Sequence, residues 1–179
     1  MNNTYEAFLK NKAVNDPMTG LVDVPELPEC LFPHQRDIVT WALRRGRSAL
    51  FAGTGLGKSL MELAWADAIH RIKGGMIILL APLAVSNQML READKFGIPA
   101  RIVSCQDECS DGINITNYQK LDHFDLSQFI GIILDESSIL KNHNGHYRTK
   151  LIQAAAQVPF RLAATATPAP NDFMELGNH

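Results

Sequence analysis

Short apolar runs alternate with helical patterns along most of this chain, and that alternation predicts its architecture. Nearly continuous apolar segments occur at Ala49–Ala52, Met76–Ala81, Ile102–Val103, Ile113–Ile115, Ile130–Leu134 and Leu162–Ala164. Runs this short, set between polar or glycine-bearing stretches, read as strands buried on both faces. Helical periodicity lies between several of them, over Lys58–Ile72, Ala84–Phe96 and Tyr147–Ala156. A further helix is predicted from Pro33, with Ile38, Trp41 and Ala42 on one face, ending near Gly46. Strands separated by helices imply an α/β fold, a mainly parallel sheet with helices on both faces. Residues 1–30 carry little periodicity and contain Pro17, Gly20, Pro25 and Pro28, so an N-terminal arm is expected there, ahead of one domain over 31–179.

Composition narrows the class without naming a function. At 179 residues, with 46% hydrophobic and 20% charged, the chain can bury one sizeable core. No segment approaches the roughly 18 uninterrupted apolar residues of a membrane span. The start, Met1-Asn2-Asn3-Thr4-Tyr5-Glu6, lacks the basic and apolar regions of a secretion signal, which predicts a cytoplasmic protein with no membrane partner. Cys105 and Cys109 are not spaced as C-x-x-C and Cys30 stands apart, so reduced thiols are expected. His143 and His146 have no nearby cysteine and read as polar loop residues rather than metal ligands. A net charge of −2 provides no global attraction for nucleic acid, so any such surface must be local. Arg44, Arg45 and Arg47, the densest basic cluster, read as a solvated helix end.

The chemistry begins where the first apolar run gives way to a helix, at Phe51-Ala52-Gly53-Thr54-Gly55-Leu56-Gly57-Lys58-Ser59. A glycine-rich loop ending in Gly-Lys-Ser is a phosphate cradle for a nucleoside triphosphate. Main-chain amides of Thr54, Gly55, Leu56 and Gly57 can turn toward phosphates, Lys58 can reach the terminal ones, and the Ser59 hydroxyl can hold Mg2+. The helix that follows directs its positive end at the same anion. The general pattern begins with glycine, and Ala52 stands there instead; alanine keeps the loop if that residue needs only negative φ. A glycine-rich turn that binds nothing is the competing reading, disfavoured because the strand-to-helix setting is the one this motif requires.

The run Ile130-Gly131-Ile132-Ile133-Leu134-Asp135-Glu136 supplies a second part, an apolar strand that ends in adjacent carboxylates. Asp135 is placed to hold Mg2+ through its water shell, and Glu136 to orient and deprotonate an attacking water. Two neighbouring acids are costly to bury unless a cation lies close. Together with the upstream loop they read as a hydrolytic nucleotide site.

The residues that follow narrow the class. Asp135-Glu136-Ser137-Ser138 resembles the Asp-Glu-x-x box of superfamily 2 helicases in its Swi/Snf form. Arg161 to Asp172, with Thr165-Ala166-Thr167-Pro168, resembles their third motif, Phe32-Pro33-His34-Gln35 their glutamine motif, and the Pro82-Leu83 that follows Met76–Ala81 their motif Ia. Order and spacing agree from about Pro33 to Asn178, and phage-encoded members are similar in the Asp-Glu-Ser-Ser form. The resemblance implies a RecA-like P-loop domain that binds ATP and Mg2+, a bacterial or phage-infected cell, and nucleic acid as partner, DNA ahead of RNA. It gives Gln35 the adenine edge and makes Thr165 and Thr167 the link between the γ-phosphate and domain movement. Pro82, Leu83, Thr116, Asn117, Tyr118, Lys141 and Asn142 would contact nucleic acid, although Thr116 or Asn117 can equally be read as a helix cap. Ser138 stands where related boxes carry His or Asp, which puts the usual coupling through that side chain in question.

Such motors hydrolyse ATP between two RecA-like domains, and the second supplies arginines that neutralise the transition state. The resemblance therefore implies one lobe of a motor, needing a second lobe in cis or trans for full activity. Two alternatives stay open: a stand-alone nucleotide- or nucleic-acid-binding module with little turnover, and another P-loop enzyme such as a small-molecule kinase. The latter would need an arginine-rich lid, and no such stretch is present in the sequence.

Overall fold

The computed structural model describes residues 18–138 and 151–168. It contains β1 (Arg47–Phe51), β2 (Met76–Ala81), β3 (Ala100–Ile102), β4 (Gly112–Asn117), β5 (Phe129–Leu134) and β6 (Phe160–Thr165). The helices are α1 (Pro33–Arg45), α2 (Lys58–Lys73) and α3 (Ser86–Lys95). All strand pairs are parallel, in the order β1-β6-β5-β2-β4-β3. The apolar runs therefore became strands, with β3 shifted toward its amino end and lying at the sheet edge. Among the described residues no helix is long and apolar enough to cross a membrane.

Strand order decides where the site can be. β1, β6 and β5 are neighbours although far apart in sequence, so the loop after β1, the Asp-Glu after β5 and the Thr-x-Thr after β6 emerge side by side. Ligands of parallel sheets bind beyond the carboxyl ends of the strands. The register supports this closeness, since Phe51 pairs with Thr165 and Leu134 with Ala163.

The two faces of the sheet are covered differently. One apolar cluster joins α1, α2 and α3 to the sheet through Leu43, Leu63, Trp65, Ile69, Leu79 and Ile133. On the opposite face Ile78, Leu80 and Ile132 meet Tyr118, Leu121 and Leu126, which lie on the 3-10 turns Tyr118–His123 and Leu126–Gln128. Leu151, Ala155 and Val158 complete that cover around a helical stretch at 151–155. The expectation of helices on both faces is thus met by long helices on one side and short turns with one brief helix on the other. Residues 147–150 of the predicted last helix lie outside the described residues.

The described part of the amino-terminal arm belongs to the core. Leu21, Leu27 and Leu31 are buried in the same cluster as α1 and α2. The amides of Thr19, Gly20 and Leu21 donate to the carbonyls of Arg45, Arg44 and Leu43, which satisfies the open end of α1. This contact explains Gly20, where a Cβ would lie 1.9 Å from the Leu43 carbonyl oxygen.

Candidate nucleotide site

The loop after β1 is held from both ends. The Ala52 amide donates to the Thr165 carbonyl at 3.3 Å, joining the loop to β6. Ala52 has no positive φ, so the missing first glycine is not needed for backbone reasons. Gly55 (φ 81°) and Gly57 (φ 74°) do occupy the left-handed region, and α2 begins directly after Gly57. Lys58 lies across the loop, its Nζ donating to the carbonyls of Ala52 (3.0 Å) and Gly53 (3.3 Å). Thr54, Gly55 and Leu56 are exposed at the tip, and Ser59 is half-buried in the first turn of α2.

Gln35 links the loop to α1. Its Oε1 accepts from the Phe32 amide at 3.0 Å and its Nε2 donates to the Leu56 carbonyl at 2.9 Å. A Cβ on residue 57 would come within 2.5 Å of that Nε2, a second reason for glycine. One amide hydrogen and one carbonyl lone pair of Gln35 remain after these bonds. Beside them opens a cavity of about 500 Å³ lined by Phe32, Gln35, Gly57, Leu60, Glu92 and Phe96, among others.

At the end of β5 the main chain of Asp135 is clamped from two directions. Its amide donates to the Leu80 carbonyl at 2.9 Å, and its carbonyl accepts from the Tyr118 hydroxyl at 2.7 Å. Burial and the adjacent Glu136 push the Asp135 carboxyl up to about 6. Glu136 has φ 49°, a left-handed conformation that is uncommon outside glycine and concentrates at functional sites. Its Oε2 accepts from the Thr165 hydroxyl at 3.1 Å, and Thr165 Oγ1 in turn accepts from the Thr167 amide at 3.1 Å. Thr167 Oγ1 lies 3.4 Å from Ser138 Oγ, so the serine in place of His or Asp still meets the third motif, through a hydroxyl pair.

The comparisons agree with this geometry. No protein-family profile matches the sequence. A curated relative, the SWI/SNF-related matrix-associated actin-dependent regulator of chromatin subfamily A-like protein 1 homolog of Caenorhabditis elegans, is 28% identical over 182 residues. That match covers 93% of this chain and 26% of the relative, so the chain spans about a quarter of its length. The SWI2/SNF2 ATPase core of Sulfolobus solfataricus, solved in complex with dsDNA, superposes with a TM-score of 0.67 at 22% identity, covering 88% of this chain and 36% of that one. The UvsW helicase from bacteriophage T4 superposes at 0.68 with 15% identity, covering 99% of this chain and 66% of that one. The fold is the one shared by the SWI2/SNF2 ATPase core and UvsW structures.

Within this fold Lys58 and Ser59 open α2 just beyond β1, while Asp135, Glu136, Thr165 and Thr167 lie at or just beyond the carboxyl ends of β5 and β6. Pro82 and the exposed Leu83 begin the turn that leads into α3. Thr116, Asn117 and Tyr118 are buried, with exposures of 1%, 5% and 3%. Asn117 caps the following turn by accepting from the Gln119 amide, and the Tyr118 hydroxyl donates to the Asp135 carbonyl, which ties this segment to the end of β5. Lys141 and Asn142, with His143 and His146, lie outside the described residues.

One residue beside this candidate site was not singled out in the sequence. Glu62, on α2, is completely buried and within electrostatic reach of Asp135, Lys58 and Glu136. Its carboxyl is held well above the usual carboxylate range, first by burial and then by Asp135. A lone charge inside the apolar run Leu60–Ala66, one turn after Lys58, was the available signal.

Proposed function

We propose that this chain is the ATP-binding motor lobe of a nucleic-acid-dependent ATPase, hydrolysing ATP with Mg2+ and coupling hydrolysis to movement on DNA together with a second RecA-like lobe. The observation that carries this reading is the meeting of Lys58, the Asp135-Glu136 pair and Thr165 at the carboxyl ends of the neighbouring strands β1, β5 and β6.

Each residue then has a role set by its position. The amides of residues 54–58 and the start of α2 receive the phosphates, and Lys58 exchanges its loop carbonyls for phosphate oxygens. Adenine enters the cavity beside Gln35, whose remaining donor and acceptor match the N6 and N7 edge of that base. Ser59 and Asp135 would hold Mg2+, which supplies charge neutralisation for the phosphates. The fit rests on the acid balance, since Glu62, Asp135 and Glu136 surround one ammonium and burial already raises two of these acids. Glu136, oriented by the Thr165 hydroxyl, takes the proton of the attacking water. The chain of hydrogen bonds from Glu136 through the Thr165 hydroxyl and the Thr167 amide, and on from the Thr167 hydroxyl to Ser138, carries the state of the site toward the nucleic acid.

DNA as the polymer is supported by the Sulfolobus core, which was solved with dsDNA. Leu83 offers an exposed backbone-tracking contact beside Pro82, and Lys141 and Asn142 are proposed to join it. The test is ATP hydrolysis with and without DNA, for this chain alone and for the chain joined to a second lobe. Stimulation by DNA only in the joined protein is expected. Nucleotide binding with no hydrolysis in either would replace the motor by a binding module.

A further inference from the structure

We propose that Glu62 is a positioning residue of the phosphate site, an acid that engages the water shell of the divalent cation accompanying the nucleotide and adds to what Asp135 provides. This inference rests on the nucleotide reading above.

Glu62 occupies a core position. Leu60, Met61, Leu63, Ala64 and Trp65 around it are all buried, and an apolar side chain would pack there at no electrostatic cost. It lies four residues after Lys58, on the same face of α2. Its exposure is 0%, and neither carboxylate oxygen has a hydrogen-bond partner among the described residues. An ion removed from water with no partner costs several kcal/mol, roughly, so such a group persists where something compensates it. Protein groups nearby do not. Lys58 is the attractive charge acting on it, and Lys58 also answers to Asp135 and is bonded to two loop carbonyls. Burial and mutual repulsion hold Glu62 and Asp135 toward their neutral forms, and a cation entering between them and Glu136 would let them ionise. Among the described residues no trio of acids or histidines is spaced to grip a metal directly. Mg2+ keeps several waters when bound, and an acid set back from the ion acts through them.

The test is Mn2+ binding to the full chain with ADP, followed by the paramagnetic signal of the ion, beside ADP binding in EDTA and thermal melting of the metal-free protein. Glu62→Gln should weaken Mn2+ about 10-fold. It should leave metal-free ADP binding no weaker and the metal-free melting temperature no lower, because it replaces a carboxyl that burial already holds toward its neutral form. Glu62→Asp should recover part of the Mn2+ affinity. Unchanged Mn2+ affinity in Glu62→Gln overturns the inference, as does a variant that melts earlier or fails to fold, which would make Glu62 a structural acid. If the unaltered protein binds no ADP with or without Mn2+, the nucleotide reading itself fails. Unaltered binding in wild type with no change in Glu62→Gln removes the inference alone.

Discussion

Asn114 and Glu62 are both completely buried polar side chains packed at the sheet, and they differ in everything that decides a role. Asn114, within β4, donates to the carbonyls of Ile77, Ser110 and Gly112 and accepts from the Ser110 amide. Glu62, beside the carboxyl ends of the strands, has no hydrogen bond at all among the described residues. A buried polar group with its bonds made fixes a fold, here the turn into β4 and its seat beside β2. One left without them marks a place where the missing partner comes from outside. The same contrast separates the apolar interior from the site edge, where Asp135 is raised and Glu136 is held in a left-handed conformation.

That contrast predicts which changes cost function and which cost stability. The largest effect is expected from Glu136→Gln in the two-lobe protein, with turnover falling by about 10² to 10⁴ as for loss of a general base. Nucleotide binding should be retained, and unchanged hydrolysis would remove Glu136 from that role. Lys58→Ala should weaken ATP by about 30-fold or more, the scale for removing one partner of a buried charge pair, with little change in melting. Titration with a fluorescent nucleotide checks the affinity and a thermal melt checks the stability. Asn114→Ala should do the opposite, losing about 3 kcal/mol by leaving buried backbone groups unpaired while the folded fraction still binds nucleotide. Equal stability in a urea unfolding series would break the comparison at its structural end.

Gly57→Ala should cost about 1 to 2 kcal/mol, from left-handed backbone and the close approach to Gln35, and should weaken nucleotide binding as well. The subtlest effect to detect is a pH dependence. The Asp135 carboxyl titrates at about 6 in the fold against 3.8 without it, so the folded state holds the extra proton. Its stabilising contribution is complete below the unfolded value and disappears as pH rises through about 6. Melting of the metal-free protein should therefore fall between pH 4 and pH 7 more steeply in wild type than in Asp135→Asn, provided melting is followed without nucleotide. Parallel curves would contradict the raised titration.

Strand positions and the phosphate loop were legible in the sequence because each depends on local pattern. Continuous apolar runs can satisfy a parallel sheet, and Gly55, Gly57 and Lys58 state their backbone and charge requirements directly. Ala52 was resolved by the same logic, since its φ is negative. Tertiary effects were not legible. Glu62 sits on a helix where a single acid ordinarily faces water, and only packing of α2 against the ends of the strands reverses that. Tyr118 looked available for nucleic acid until the fold placed its hydroxyl on the Asp135 carbonyl. The cover of the second sheet face was likewise hidden, because 3-10 turns have no long periodicity to read.

If the carboxyl edge of β1, β6 and β5 is a Mg2+-dependent triphosphate site, fluorescent ATP binding to the isolated chain with and without Mg2+ will reveal it. Saturable binding that tightens with Mg2+ and is lost in Lys58→Ala is predicted. No binding, or binding indifferent to both Mg2+ and Lys58, would contradict it.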